Sequence, residues 1–152
     1  MAENGKKTEE WTRVPDPHRD GDRRPRTPFR LRGHHLGCTA GFTGHGYHAD
    51  FTAHLARIAE VLAADPDHPI QVVDGPDDLC GPCPHLQAGV CRRDPGAEAR
   101  VRAHDQEFLQ ALDLKVGSRT SPREVATCLA RDPEARRRIG RSCAGCPWTA
   151  VC

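Results

Sequence analysis

Eight cysteines stand in 152 residues, and six of them fall into two similar segments. The first is Cys80-Gly81-Pro82-Cys83-Pro84-His85-Leu86-Gln87-Ala88-Gly89-Val90-Cys91. The second is Cys143-Ala144-Gly145-Cys146-Pro147-Trp148-Thr149-Ala150-Val151-Cys152. Each reads C-x2-C-P, then a ring side chain, then a closing Val-Cys, with the third cysteine after seven intervening residues in one and five in the other. A C-x2-C loop carrying Gly or Pro folds two thiolates toward one point, and backbone N–H groups in the turn lower their pKa and stabilise a bound metal. Proline after the second cysteine stiffens the exit and brings no N–H of its own. His85 and Trp148 are placed to shield such a site from water. The spacing suits zinc and iron–sulfur clusters alike.

Ligand counting separates these options. A four-cysteine zinc ribbon needs only Cys80, Cys83, Cys143 and Cys146 and leaves Cys91 and Cys152 unused. Cys38, which follows His34 and His35, is the natural seventh ligand. In a helix either histidine shares a face with Cys38, at i, i+4 or i, i+3. In an extended segment only His34 shares its parity. A histidine is thus an eighth ligand, a proton donor beside a cluster, or a hydrogen-bonded structural residue. Cys128, flanked by Val125 and Leu129 with no cysteine nearby, reads as a buried core thiol.

The elements that must position these residues are few. Residues 1–28 hold four prolines and, as large apolar residues, only Trp11 and Val14, so a disordered tail is expected. The single folded domain then spans 29–152. Phe29-Arg30-Leu31-Arg32 alternates like a short edge strand. Phe51, Leu55, Ile58 and Leu62 form one apolar stripe, which predicts a helix over 49–64 that stops at Asp65-Pro66. Ile70–Val73 reads as a strand. A second helix is expected from Ala97 to Leu114, with Val101, Phe108 and Leu112 on one face and Gly117 closing it. Ser121-Pro122-Arg123-Glu124 is a capping box with proline at the first helical position. A last helix begins at Asp132-Pro133 and ends at Gly140. The fold class is mostly α, a small α+β domain of three to four helices with a short strand pair, closed by the two cysteine loops.

Composition agrees with a cross-linked rather than a self-sufficient core. Leu, Ile, Val and Phe together number 26, so large apolar residues are scarce. Net charge is +1, which gives no bulk attraction to nucleic acid. No apolar run reaches membrane-span length, and the first residues lack a charged-then-apolar signal pattern. A cytoplasmic location with reduced thiols is therefore expected, which favours metal ligation over disulfides.

Arg32-Gly33-His34-His35-Leu36-x-Cys38, the Gly44-x-Gly46-Tyr47 loop, Asp74-Gly75-Pro76-Asp77-Asp78-x-Cys80-x-x-Cys83-Pro84-His85 and Cys143-x-x-Cys146-x-Trp148-x-x-x-Cys152 together resemble a small prokaryotic family catalogued as domain of unknown function 1284. The resemblance runs from about Phe29 to Cys152. It implies iron–sulfur binding, with Cys38, Cys80, Cys83, Cys91, Cys143, Cys146 and Cys152 on motif positions and Cys128 off them. Gly37 stands where a larger apolar residue is expected, a departure that would loosen a helix there.

Three functions are compatible with this sequence. The first is an iron–sulfur protein, with a 4Fe–4S cluster, for electron transfer or redox sensing. Cys80, Cys83, Cys143 and Cys146 are its first ligands, and Cys91, Cys152 and Cys38 complete that cluster or form a second. Its partner would be a redox protein. The second is a structural zinc module presenting a surface to another protein. The third is a metalloenzyme in which His34 or His35 does acid–base work beside an open metal position. The sequence holds no Gly-rich nucleotide loop in strand–helix context and no Gly-x-Ser-x-Gly elbow.

Overall fold

The structure is a computed structural model that describes residues 26–46 and 48–146. The tail expected over 1–28 lies outside it except for residues 26–28, where Arg26 ion-pairs with Asp65. Tyr47, Trp148 and Cys152 also fall outside the described residues.

The chain begins with β1 (Phe29–Leu31), α1 (Gly33–Ala40), α2 (Ala49–Ala64) and β2 (Ile70–Val72). The two strands pair in parallel, Leu31 opposite Val72, and α1 with α2 makes the crossover that parallel pairing demands. The segment 73–118 then leaves the sheet and carries the first cysteine loop, the hairpin β3 (Leu86–Gln87) and β4 (Val90–Cys91), and α3 (Ala97–Ala111). It returns as β5 (Arg119–Thr120), antiparallel to β2, so the sheet order is β1-β2-β5 with β1 at an edge. The chain closes with α4 (Pro122–Arg131), α5 (Pro133–Ser142) and a short 3-10 turn at Cys143–Gly145. The five helices and small strand pairs form an α+β, mostly helical domain. None of the described helices is long and apolar enough to cross a membrane.

Local chemistry accounts for most boundaries. The α2 stripe Phe51, Leu55, Ile58 and Leu62 is buried as its spacing requires, and it packs with Leu31, Val72, Leu79 and Leu109. Ser121 Oγ accepts from Glu124 N at 3.3 Å, and Asp132 Oδ1 accepts from the N–H groups of Glu134 and Ala135 at 3.0 and 3.1 Å, with proline opening both helices.

His34, His35 and Cys38 lie in a helix, one of the two alternatives the sequence left open, which brings the helices to five. Three features differ from the sequence expectations. The first cysteine loop contains a hairpin whose turn residues Ala88 and Gly89 have φ of 51° and 73°, the left-handed pair of a type I′ turn. α3 ends at Ala111 because Asp113 adopts φ 53°, so Gly117 instead turns the chain into β5. α5 runs through Gly140 to Ser142.

Gly37 tightens α1 rather than loosening it. A Cβ there would stand 2.5 Å from Cε1 of Phe108 on α3. At Gly33 a Cβ would stand 2.4 Å from the backbone oxygen of Asp105, also on α3. The two glycines lie one turn apart and let α1 sit directly on α3. Gly33→Ala should cost about 1–3 kcal/mol, more than Gly37→Ala, because a backbone cannot yield as a ring can. Urea unfolding of the two variants checks the order.

Candidate metal centre

The candidate site is built on the N-terminus of α1. The first N–H groups of a helix lack intrahelical partners, and Arg32 at the cap position offers no capping side chain. Two buried carboxylates from distant segments serve instead. Asp77 Oδ2 accepts from Arg32 N at 2.6 Å, and Asp105 Oδ1 accepts from His34 N at 3.1 Å.

The same carboxylates orient both histidines. His34 Nδ1 donates to Asp105 Oδ1 at 2.6 Å, and His35 Nδ1 donates to Asp77 Oδ2 at 2.7 Å. A carboxylate only accepts, so the proton sits on Nδ1 and each Nε2 carries the lone pair. Arg32, 1% exposed, donates from Nε to Asp105 Oδ2 at 2.7 Å. Its Nη2 is buried without a hydrogen-bond partner, with Glu98 Oε1 at 3.7 Å.

Three imidazoles line up from this point. The ring centroids of His35 and His34 are 4.2 Å apart, and those of His34 and His104 are 5.0 Å apart. The cysteine loops approach this row from its two ends. At one end, ligand atoms of His35, Asp77 and Cys80 all lie within 4.8 Å of one another. At the other, Cys143 Sγ lies 3.9 Å from His104 Nε2, and His104 Nδ1 bonds Ser142 Oγ.

Both C-x2-C loops are closed by the same backbone bond. Cys83 N donates to Cys80 O at 3.0 Å, and Cys146 N donates to Cys143 O at 2.9 Å. Among the described cysteines none is joined in a disulfide. Cys91 belongs to the hairpin, and its N–H donates to Glu98 Oε2 on the first turn of α3 at 2.8 Å. Cys38 sits one turn beyond His34 on α1. Among the described residues alone, neither it nor Cys83, Cys91, Cys143 or Cys146 joins a set of three donors as close as that of Cys80. Cys128 is half-buried, where a buried thiol was expected, and packs against the core with Sγ 4.0 Å from Ala111 O.

The family described as Protein of unknown function (DUF1284) matches residues 46–152, which contain both cysteine loops and α3. The chain belongs to this family. The match begins after Arg32–Cys38, so the α1 motif lies outside it. Neither the curated proteins nor the solved structures include a match to the chain.

In this DUF1284 chain, burial and the two carboxylates set the protonation states. Burial, aided by the neighbouring His35, pushes His34 down from 6.5 to about 4. Burial likewise lowers His104. For Asp105 burial acts upward, but the His34 hydrogen bond and the Arg32 charge outweigh it and hold the carboxyl at about 2. Asp77 is also held down, with His35 and the Arg32 N–H overcoming its burial. Burial raises the Cys80 thiol far above its usual range, and Asp77 raises it further. Burial raises Cys83 too, with Cys91 adding to the effect. These thiols need a cation close by to ionise.

Asp77, Asp105, Glu98 and His104 were not singled out as site residues in the sequence, and one of them left a signal there. Asp105 falls at i+4 from Val101 and i−3 from Phe108, a charge within the apolar stripe of α3. A carboxylate in such a stripe is buried and must be paired. Asp77 lay within a motif that resembles the family but had no assigned role.

Two outcomes follow for the metal-free protein. Asp105→Ala leaves the buried Arg32 charge uncompensated and should lower stability by about 3–5 kcal/mol in urea unfolding. The second concerns pH. Between about 4 and 6.5 the unfolded chain protonates His34 while the folded chain does not. Stability therefore rises with pH across that window and is lost as pH falls through it. His34→Gln should flatten the dependence of the urea midpoint on pH between 4 and 6.5; an unchanged slope would show that His34 is not buried as a neutral ring.

Proposed function

We propose that this protein carries an iron–sulfur cluster, of the 4Fe–4S type, between its two cysteine loops and uses it in electron transfer or redox sensing with a partner protein. The observation that carries this reading is the common wall that α3 gives both loops. Its first turn receives the Cys91 backbone through Glu98, and His104 meets Cys143 at 3.9 Å. Arg93, two residues beyond Cys91, acts on the charge of His104. Both loops thus contact α3, the first at Glu98 and the second at His104.

The donor chemistry fits such a group. Both loops make the same tight turn, and each continues to a third cysteine. A structural zinc ribbon would use four thiolates and leave the third cysteine of each loop and Cys38 over, which favours the cluster. When bound, a cluster supplies reversible one-electron chemistry. The protein residues would hold its thiolates and present the imidazole row near it.

Protein purified without oxygen should be brown and contain iron and acid-labile sulfide in equal amounts. Cys143→Ser should lose most of both while keeping the far-ultraviolet circular dichroism of the parent. Colourless protein with no sulfide would sink the proposal.

A further inference from the structure

We propose that His35, Asp77 and Cys80 form a second site, for one divalent transition-metal ion of the zinc or iron(II) class. It goes beyond the cluster and stands apart from it. Assigning Cys80 here leaves Cys38, Cys83, Cys91, Cys143, Cys146 and Cys152 for the cluster.

The donor set is the first argument. One imidazole nitrogen, one carboxylate oxygen and one sulfur lie within 4.8 Å of one another. Borderline ions accept this mixture, and hard ions such as magnesium do not. Three protein donors leave a fourth position for water or a substrate, the pattern of a reactive rather than a closed site.

The second argument is how firmly the donors are placed. His35 is fixed in the first turns of α1 by the helix itself. Asp77 and Cys80 stand three apart in a turn closed by Cys80 N donating to Asp77 O at 3.0 Å. Without metal, Asp77 accepts from Arg32 N, His35 Nδ1 and Leu79 N. The His35 nitrogen beside Asp77 is Nδ1, 2.7 Å from Oδ2, so the metal takes the place of the proton between them, that proton moves to Nε2, and the imidazole stays neutral.

Charge is the third argument. Asp77 and Asp105 against Arg32 leave the buried set one charge negative, counting the imidazoles as neutral. Ionising Cys80 adds a second, and Glu98 at the rim acts in the same direction. A divalent cation balances this. The guanidinium of Arg32, with its Nη2 stranded, acts on Cys80, so an ionised sulfur there also offsets a charge the fold leaves incompletely paired. Binding exchanges the Cys80 thiol proton for the metal, so apparent affinity rises with pH.

The test uses cobalt(II) as probe on the full-length chain, stripped of metal. A variant with Cys38→Ser, Cys83→Ser, Cys91→Ser, Cys143→Ser, Cys146→Ser and Cys152→Ser removes the competing thiols. It should bind one cobalt per chain with a sulfur-to-cobalt charge-transfer band. Adding His35→Ala should weaken that binding at least tenfold, and Cys80→Ser should abolish the band. Iron and sulfide assays on the parent and on His35→Ala with every cysteine intact, purified without oxygen, report the cluster separately, so either reading can fail alone. Should the multiple variant not fold, the parent chain decides. One equivalent of zinc should slow iodoacetamide labelling of Cys80, and His35→Gln should remove that protection while leaving Cys143 as before. Protection of Cys80 that is indifferent to His35, or cobalt binding indifferent to it, overturns the proposal.

Discussion

Burying the guanidinium of Arg32 is the constraint around which the site is organised. A charge taken out of water at 1% exposure needs fixed counter-charges. Asp105 meets it directly on Nε, and Asp77 holds its backbone N–H. Those two carboxylates come from α3 and from the turn after β2, 73 and 45 residues along the chain. Each has acceptor capacity beyond Arg32. Each spends that capacity on one histidine of α1. One ion pair thereby fixes the helix N-terminus, the tautomers of His34 and His35, and the position of α3 relative to the first cysteine loop.

The glycines of α1 make this arrangement sterically possible. Asp105 reaches the N–H of His34 only because Gly33 lets the backbones of α1 and α3 approach without a Cβ between them. Gly37 does the same for the Phe108 ring one turn later. The close approach brings His104 beside His34, and His104 in turn meets Cys143. Packing at two glycines therefore links the paired charges to the second cysteine loop. Large apolar residues are scarce in this chain, and a buried polar frame of this kind supplies specific contacts where a larger core would have supplied area.

Local features of the fold were legible in the sequence, and long-range pairings were not. The α2 stripe, the Ser121 and Asp132 caps and the turns at Cys80 and Cys143 each depend on residues within a few positions of one another. Their physics is contained in a short window. The end of α3 was misplaced because Asp113 takes a left-handed conformation that aspartate only sometimes adopts. The Ala88-Gly89 hairpin was hidden for a related reason, since alanine is an unusual first residue for such a turn. Within the site, the cysteines announced themselves by spacing, whereas Asp77 and Asp105 act on α1 from far along the chain. Their function lies in that pairing, and no window of sequence contains it.

The frame also explains why the thiols and the imidazoles belong in one discussion. Without a cation, the environment of Cys80 opposes ionisation: it is buried, and Asp77 lies beside it. His34 is held neutral by the same burial. A region that keeps its sulfur protonated and its imidazole uncharged, while retaining two ionised carboxylates against one guanidinium, is poised for positive charge rather than for protons. Protons are poorly accommodated there, because burial disfavours a charged imidazole and the carboxyls are already committed to N–H donors. A metal ion suits it better. It satisfies the carboxylate charge, ionises the thiol by direct ligation and leaves the imidazoles neutral. The proposed metal site thus rests on the same charges that hold α1 in place.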